Sequence, residues 1–387
     1  MNHVNMDSEK SYVRNNLIYL SYTYVTVVLQ KRGVRRLKNI LKIGSAFIGV
    51  IVGAGFASGQ EILQYFTSFG TLGIFGAILS TVLFSGIGML LVWLGSYTKT
   101  TSHKDVIYRI SGRYLGTVID LILIFTLFGV GVVMLAGAGS NLNQQFGLPV
   151  FVGTTLMTIL VLLTGFLKVN RVVSIIGSIT PILIIFIIFI AIYSFLTMNG
   201  TFTSLNDVAQ ATPTTLPNWF ISSINYVSFN IAVGASMSIV MGGAEKSPKT
   251  AALGGLLGGL VLGILILLIH LAIFSKIEEV GTLDMPMLGI VSNLSPTLGI
   301  VMSLVIFAMI YNTAVGMFFS FSARFAESGT KKFKIFFIIT MTVGYLASYV
   351  GFTGLVSYFY PLIGYLGIIL IIALLAAPFI IKRQEAQ

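Results

Sequence analysis

The 387-residue chain contains no cysteine, which removes disulfides, thiolate catalysis and cysteine-ligated metal centres from consideration together. Charge is almost as scarce, with Asp, Glu, Lys and Arg making up 9% of the residues. No Gly-rich Lys-Ser/Thr loop for ATP phosphates occurs, and neither does a His-Glu-x-x-His pattern. A Gly-x-Ser-x-Gly nucleophile with partners is equally lacking, and no repeated filter sequence of a ring-forming channel is present. These absences argue against self-energised pumping, intramembrane enzymology and channel conduction. The first ten residues are polar and no short apolar core ends in a small-residue cleavage site, so the first span is expected to stay in the protein.

What fills the chain is apolar side chain. The composition is 56% hydrophobic and the mean hydropathy is +0.96, more than a soluble fold of this length can bury. Forty-one glycines and 29 phenylalanines suit helices that pack through small residues in lipid. A crossing helix needs about 20 mostly apolar residues, and ten segments meet that test. They are spans 1 to 10, at 39–69, 71–97, 115–141, 149–167, 171–197, 218–243, 250–273, 297–325, 333–350 and 357–381. The expected fold class is an all-α integral membrane protein. Asn15 to Gln30 is uncharged but too short to read as a further span.

The formal charge of +11 is distributed by loop. With ten spans, 22 of the 23 basic residues fall on one side, and only Lys276, beside Glu278, Glu279 and Asp284, falls on the other. Cytoplasmic loops collect Lys and Arg, so both termini are expected in the cytoplasm and the charge reports orientation, with no nucleic-acid partner. Ten spans divide as five plus five, and an odd number per half turns the second half upside down. The expected organisation is a cytoplasmic extension (1–38), a first repeat (39–197), an extracellular loop (198–217), an inverted second repeat (218–381) and a cytoplasmic tail (382–387).

Two spans carry polar interruptions at mid-membrane. In span 1, "VGAGFASGQEI" (Val52 to Ile62) follows Gly49 and contains Gly53, Gly55 and Gly59, each weakening a helix by about 1 kcal/mol relative to alanine. In span 6, "SFNIAVGAS" (Ser228 to Ser236) lies at the corresponding depth. Non-helical backbone survives there only inside protein or beside an aqueous cavity, so both helices are expected to break. Broken half-helices present N–H groups to a carboxylate and carbonyls to a cation, which suits a small zwitterionic solute. The candidate solute contacts are Gly53, Ala54, Gly55, Phe56, Ala57, Ser58 and Gln60 on span 1, and Tyr226, Phe229, Asn230 and Gly234 on span 6. The plainer reading is that the glycines only let helices approach, as in "GGLLGGLVLG" (Gly254 to Gly263), where no polar residue accompanies them.

"GAGFASGQE", with Gly53, Gly55 and Phe56, resembles the Gly-x-Gly-Ile-Phe break of helix 1 in the amino acid–polyamine–organocation superfamily, and the longer string resembles the YkvI-like bacterial membrane proteins. The resemblance runs from about Leu41 to Lys382. It implies the LeuT fold of secondary transporters, in a bacterial cytoplasmic membrane, with helices 1 and 6 unwound around solute. It also implies a sodium site between helices 1 and 8, with the carbonyls of Gly49 and Val52 on one side and Asn312 and Thr313 on the other. Sodium-coupled members carry two adjacent hydroxyl residues where this chain has Asn312-Thr313, and the span 5 lysine of some proton-coupled relatives has no counterpart. The coupling ion is therefore left as sodium or a proton, with no other cofactor expected.

Glu61 and Asp120 are the two acids placed within spans, and such residues are functional candidates by default. Glu61 directly follows the break and can carry a coupling proton, bind a cation, meet a solute amine or cap the outer half-helix. Asp120 lies a turn into span 3, where it can couple an ion or simply reach water or Arg113. His270, in span 7, is either a hydrogen-bonding residue or a proton relay. "LDMPMLGIVSNLSP" (Leu283 to Pro296) reads as a short helix over the outer entrance. The leading reading is a cation-coupled secondary transporter working by alternating access; the alternative is a nutrient or germinant sensor on the same fold.

Overall fold

The structure is a computed structural model, and it describes residues 34, 36–100, 102–166, 180–198 and 200–385. Asn15 to Gln30, Lys168 and Arg171 lie outside the described residues. Among those described there is no β-strand. Among the described residues seven helices are long and apolar enough to cross a membrane, and Val150–Gly165 and Pro181–Leu196 are shorter apolar helices. Span 1 does not count as one long helix because it is interrupted: helix 36–51 is followed by Ala54–Ser58 and Gln60–Tyr65.

Helix starts follow the local chemistry. Ser247 and Ser295 accept from Thr250 N–H at 3.3 Å and Leu298 N–H at 3.5 Å, and each is followed by proline. Asn218 and Thr330 cap spans 6 and 9 the same way. Such caps satisfy orphan N–H groups, and proline at the first helical position costs no hydrogen bond. The start of span 2 is capped from elsewhere: Asn206 Oδ1 accepts from Thr71 N–H at 2.9 Å. Asn206 lies on Phe202–Gln210, a helix within the segment 198–217 that is expected to be the extracellular loop.

The glycine run of span 7 explains the central packing. A Cβ on Gly255 would meet Gly88 O at 2.2 Å, and one on Gly259 would meet Phe84 O at 2.3 Å. Gly254 and Gly258 face Ile43 and Phe47 of span 1 instead. Spacing of four thus builds two adjacent glycine stripes, one against span 2 and one against span 1, and the packing reading of this run holds. The outer surface remains apolar, as Ile185, Leu196 and Phe379 illustrate, which is what lipid contact requires.

Span 6 corrects one expectation. It is a continuous helix, Trp219–Gly243, with no interruption at 228–236. Its polar residues are absorbed by packing: Asn225 Nδ2 donates to Pro361 O at 3.0 Å, and Ser228 Oγ to Gly364 O at 2.6 Å. A Cβ on Gly364 would fall 2.0 Å from Asn225 Oδ1. The polarity of span 6 is therefore a seam with span 10, in which a small residue admits a hydrogen-bonding one. The paired-break pattern reduces to a single break, in span 1.

Span 3 is kinked near its start. Gly112 takes φ 69°, ψ −176°, a conformation open to glycine without a Cβ penalty, and the chain folds back there. Tyr108 consequently reaches Thr117, 3.3 Å between hydroxyls, and residues 103–111 form a polar arm beside the end of span 3.

Candidate functional site

The break opens between two backbone bonds. Val52 N–H still donates to Ile48 O at 2.7 Å, and the helix resumes when Ala57 N–H donates to Gly53 O at 3.0 Å. Gly59, at φ 82°, ends the short Ala54–Ser58 turn and redirects the chain into Gln60–Tyr65. The turn packs against spans 3 and 8 and the helix Pro286–Leu294, while Gln60–Tyr65 packs against spans 6 and 7.

Glu61 folds back onto this turn. Its carboxylate lies beside Gly55, where a Cβ would come 2.0 Å from Oε1. The other oxygen, Oε2, accepts from the Tyr226 hydroxyl at 3.1 Å. Glu61 is 5% exposed, and among the described residues no basic side chain forms an ion pair with it. Tyr65, on the same short helix as Glu61, packs on Tyr226, and Tyr360 stacks on Phe229. Tyr226 sits in an aromatic box with ring centroids 5.0 Å from Tyr65, 5.1 Å from Phe66 and 6.1 Å from Phe84. A bare carboxylate in this setting is costly and calls for a proton, a metal ion or an ammonium group.

The other expected contacts are distributed unevenly. Gly53, Gly55, Phe56, Ala57 and Ser58 form the break itself, together with the backbone of Ala54. Ser58 Oγ donates to Gly55 O at 2.9 Å and accepts from Gln60 N–H at 3.2 Å, so it braces the turn. Gln60 turns outward: oriented to satisfy its amide, it donates to Leu283 O at 3.2 Å and Asp284 O at 3.3 Å. Gly234 lies against Ile51 and Val50, the last turn before the break. Phe229 stacks on Tyr360 at 4.1 Å, and the Asn230 amide donates to Tyr226 O in its own helix. Of the span 6 residues, Tyr226 alone is shown meeting a polar group of span 1's break region among these four.

On the span 8 side, Thr313 faces Gly53, its Oγ1 lying 3.7 Å from where a Cβ would stand. Thr313 Oγ1 donates to Met309 O at 3.1 Å, leaving its lone pairs. Asn312 is buried, and its Oδ1 finds no hydrogen-bond partner among the described residues. Val52 is buried and Gly49 half-buried on the approach to the break. Of the residues expected on span 8, Thr313 is the one shown beside the break.

The segment before span 8 packs over the break. Pro286–Leu294 is a short helix, as expected, with Met285, Met287 and Leu288 fully buried. Gln144, at the end of span 3, grips it twice: Nε2 donates to Met285 O and Oε1 accepts from Met285 N–H, both at 2.9 Å. Thr353 Oγ1 donates to Asp284 Oδ1 at 2.5 Å.

Asp120 and His270 stand apart from the break. Asp120 pairs with Arg324 Nη1 at 3.2 Å and Lys104 Nζ at 3.3 Å, and not with Arg113. The Gly112 fold-back is the reason, because it swings the start of the polar arm onto Asp120. His103 Nε2 completes the cluster at 3.9 Å; burial and the Arg324 guanidinium push its imidazole down to about 4. His270 is fully buried and shares a hydrogen bond with Thr67 at 3.1 Å, between its Nδ1 and Oγ1. Sequence reasoning missed Tyr65, Tyr360, Gln144, Lys104 and Arg324, whose roles depend on long-range contacts with no local signature.

No family model matches the chain. It is similar to membrane protein YkvI of Bacillus subtilis (strain 168), 27% identical over 334 residues, covering 86% of this chain and 94% of that one. Protein YyaD of the same organism is 26% identical over 336 residues, covering 87% and 96%. Among solved structures, MhsT in complex with L-phenylalanine superimposes with a TM-score of 0.57 at 16% identity, covering 88% of this chain and 98% of MhsT. Mhp1, a nucleobase-cation-symport-1 family transporter in a closed conformation with bromovinylhydantoin bound, gives 0.51 at 14% identity, covering 84% and 74%. The chain is a homologue of YkvI and YyaD, as the resemblance at the break implied, and its structural neighbours MhsT and Mhp1 have the LeuT fold.

Proposed function

We propose that this chain is a cation-coupled secondary transporter of a small amino acid or similar zwitterionic solute, working by alternating access in a bacterial cytoplasmic membrane. Ten spans in a 5+5 inverted arrangement with both termini cytoplasmic complete the reading. The interrupted span 1, the seven long helices and the two shorter ones are consistent with that number. The observation that carries the proposal is the Glu61 carboxylate, buried against Gly55 of the break and held by Tyr226, with no basic partner among the described residues. A solute ammonium group complements that carboxylate, and the backbone polarity at the break complements a solute carboxylate. The covering helix Pro286–Leu294 belongs to an outward-closed state, and exchange of access requires its release.

The coupling ion is sodium or a proton. Sodium would be held by the Gly49 and Val52 carbonyls with Asn312 and Thr313, and the unpartnered Asn312 Oδ1 supports an oxygen-rich site. The test is thermal stabilisation of the purified protein by an amino-acid panel with and without sodium, followed by uptake into proteoliposomes. The panel starts from L-phenylalanine, the solute in the MhsT structure. Stabilisation by one or a few amino acids is the expected result. An empty panel, together with no uptake of any panel member, removes the reading.

A further inference from the structure

The groups around Glu61 allow a sharper statement, which rests on the transporter reading above. Among the described residues, the titratable groups around it are phenols: Tyr226 of span 6 donates to it, Tyr65 of its own helix packs on Tyr226, and Tyr360 of span 10 stacks on Phe229. Span 7 contributes His270, whose Nδ1 is engaged with Thr67 and whose Nε2 has no hydrogen-bond partner among the described residues. The covering segment contributes Asp284, whose carboxylate is engaged by Thr353. The polar arm, Asp120, Lys104 and Arg324 form their own cluster. No described cation is thus available to neutralise Glu61 from any of these elements.

An ionised carboxylate without a partner is strongly disfavoured at this depth. In this structure Oε1 rests over Gly55 and Oε2 accepts from Tyr226. A zwitterionic solute brings both a carboxylate and an ammonium group to the break. Two carboxylates side by side repel unless one is neutralised, and Glu61 is the one acid among the described residues that reaches the break. The ammonium group is the natural counter-ion for Glu61, and it can take that place only when the carboxyl proton has left.

We infer that Glu61 is an exchange site, holding either a proton or the ammonium group of the solute, so that solute binding expels the proton. The step balances simply. The carboxyl O–H bond breaks, its proton passes to water, and the carboxylate left behind forms a charge-assisted hydrogen bond with the incoming R–NH3+. Solute and proton then occupy the site in turn, which links solute movement to proton movement in the opposite direction. The substrate class is accordingly one with an amino group that carries charge; an acid lacking it should not compete.

The test uses purified full-length protein in lightly buffered detergent solution with a pH indicator. The twenty standard amino acids serve as probes, with benzylamine as an amine-only probe and 3-phenylpropionate as an acid-only one. Binding is read by thermal shift and proton exchange by indicator absorbance. The expected result on the acid side is release of about one proton per molecule bound, with the apparent Kd weakening about tenfold per unit fall in pH. Benzylamine should share this behaviour and 3-phenylpropionate should not. Glu61→Gln should abolish release. Tyr226→Phe keeps the ring packing, and release should persist with a displaced pH midpoint. Binding with no release, or with proton uptake, overturns the exchange site while leaving the transporter reading in place. No binding by any probe overturns both.

Discussion

The Glu61 carboxylate occupies the space that a side chain at Gly55 would need, with Oε1 2.0 Å from the position of a Cβ there. The break in span 1 is therefore closed by a residue six positions further along the same span. Gly59, at φ 82°, supplies the reversal that lets the carboxylate return. Glycine at 55 is required for this close approach, whatever its effect on helix propensity.

Replacing Gly55 with alanine is expected to destabilise the protein by about 1–3 kcal/mol, the usual cost of overpacking a filled interior. Truncating Glu61 in the same chain should return part of that loss, because the two residues compete for one volume. Thermal melts of G55A, E61A and the double variant measure the coupling. Strictly additive effects would show that the carboxylate does not rest on Gly55.

Gln144 holds the covering segment through both of its amide atoms, at 2.9 Å to Met285 N and O. Gln144→Ala should therefore loosen the outer entrance with little effect on the membrane core. The chain's lack of cysteine makes the measurement direct: Ala57→Cys, in the buried turn, is a single reporter. Labelling by a polar thiol reagent should accelerate several-fold in the Q144A background, about 1 kcal/mol of opening free energy for a fivefold change. Equal rates would mean that the helix Pro286–Leu294 is held by its apolar contacts alone.

The fold was largely legible in the chain because lipid leaves few options. Spans 2, 4, 7 and 8 lie within about two residues of the helices Leu72–Thr98, Val150–Gly165, Pro248–Ser275 and Pro296–Ala323. The break at Gly53 was legible too, since glycines, Ser58 and Glu61 cluster where a helix should be driest. Span 6 was misread for an instructive reason. Ser228 looks like a cavity residue in one dimension, but its partner is Gly364 O, 136 residues away, beside the contact of Asn225 with Pro361 O. Glycine beside polar residues signals either a break or a close polar seam, and local pattern does not separate them. The same limit hid Gln144 and the Asp120 cluster, which are defined by what folds against them.

The Asp120 cluster gives a stability prediction. Asp120 is 7% exposed, and its charge is met by Arg324 and Lys104 from either side. Asp120→Asn leaves Arg324 without its partner in a largely buried setting, at a cost of about 3 kcal/mol. Arg324→Gln alone should also destabilise. The double variant should lose less than the sum, with a coupling of about 1–3 kcal/mol. Denaturation midpoints of the four proteins in detergent provide the cycle, and a coupling near zero would reduce the contact to a geometric coincidence.

His103 adds a pH dependence to the same corner. It lies on the arm of residues 103–111, before the Gly112 fold-back and outside the span proper. Burial and the neighbouring Arg324 push its imidazole from 6.5 down to about 4, against the opposing pull of Asp120. Between those values the unfolded chain binds a proton that the folded one refuses, so stability rises with pH through this window. Above about 6.5 the imidazole is neutral in both states and the dependence from this group vanishes. Acidification through the window should therefore loosen the arm, and the effect should show first in the exchange of its amides. His103→Gln keeps a hydrogen-bonding side chain but cannot titrate, and it should flatten that acid limb while leaving neutral-pH stability close to the parent. Hydrogen exchange of residues 103–111 in the two proteins, at neutral and mildly acidic pH, checks both halves of the prediction. An acid limb of equal slope in the variant would assign the effect to other groups, since Asp120, Arg324 and Lys104 are retained in it.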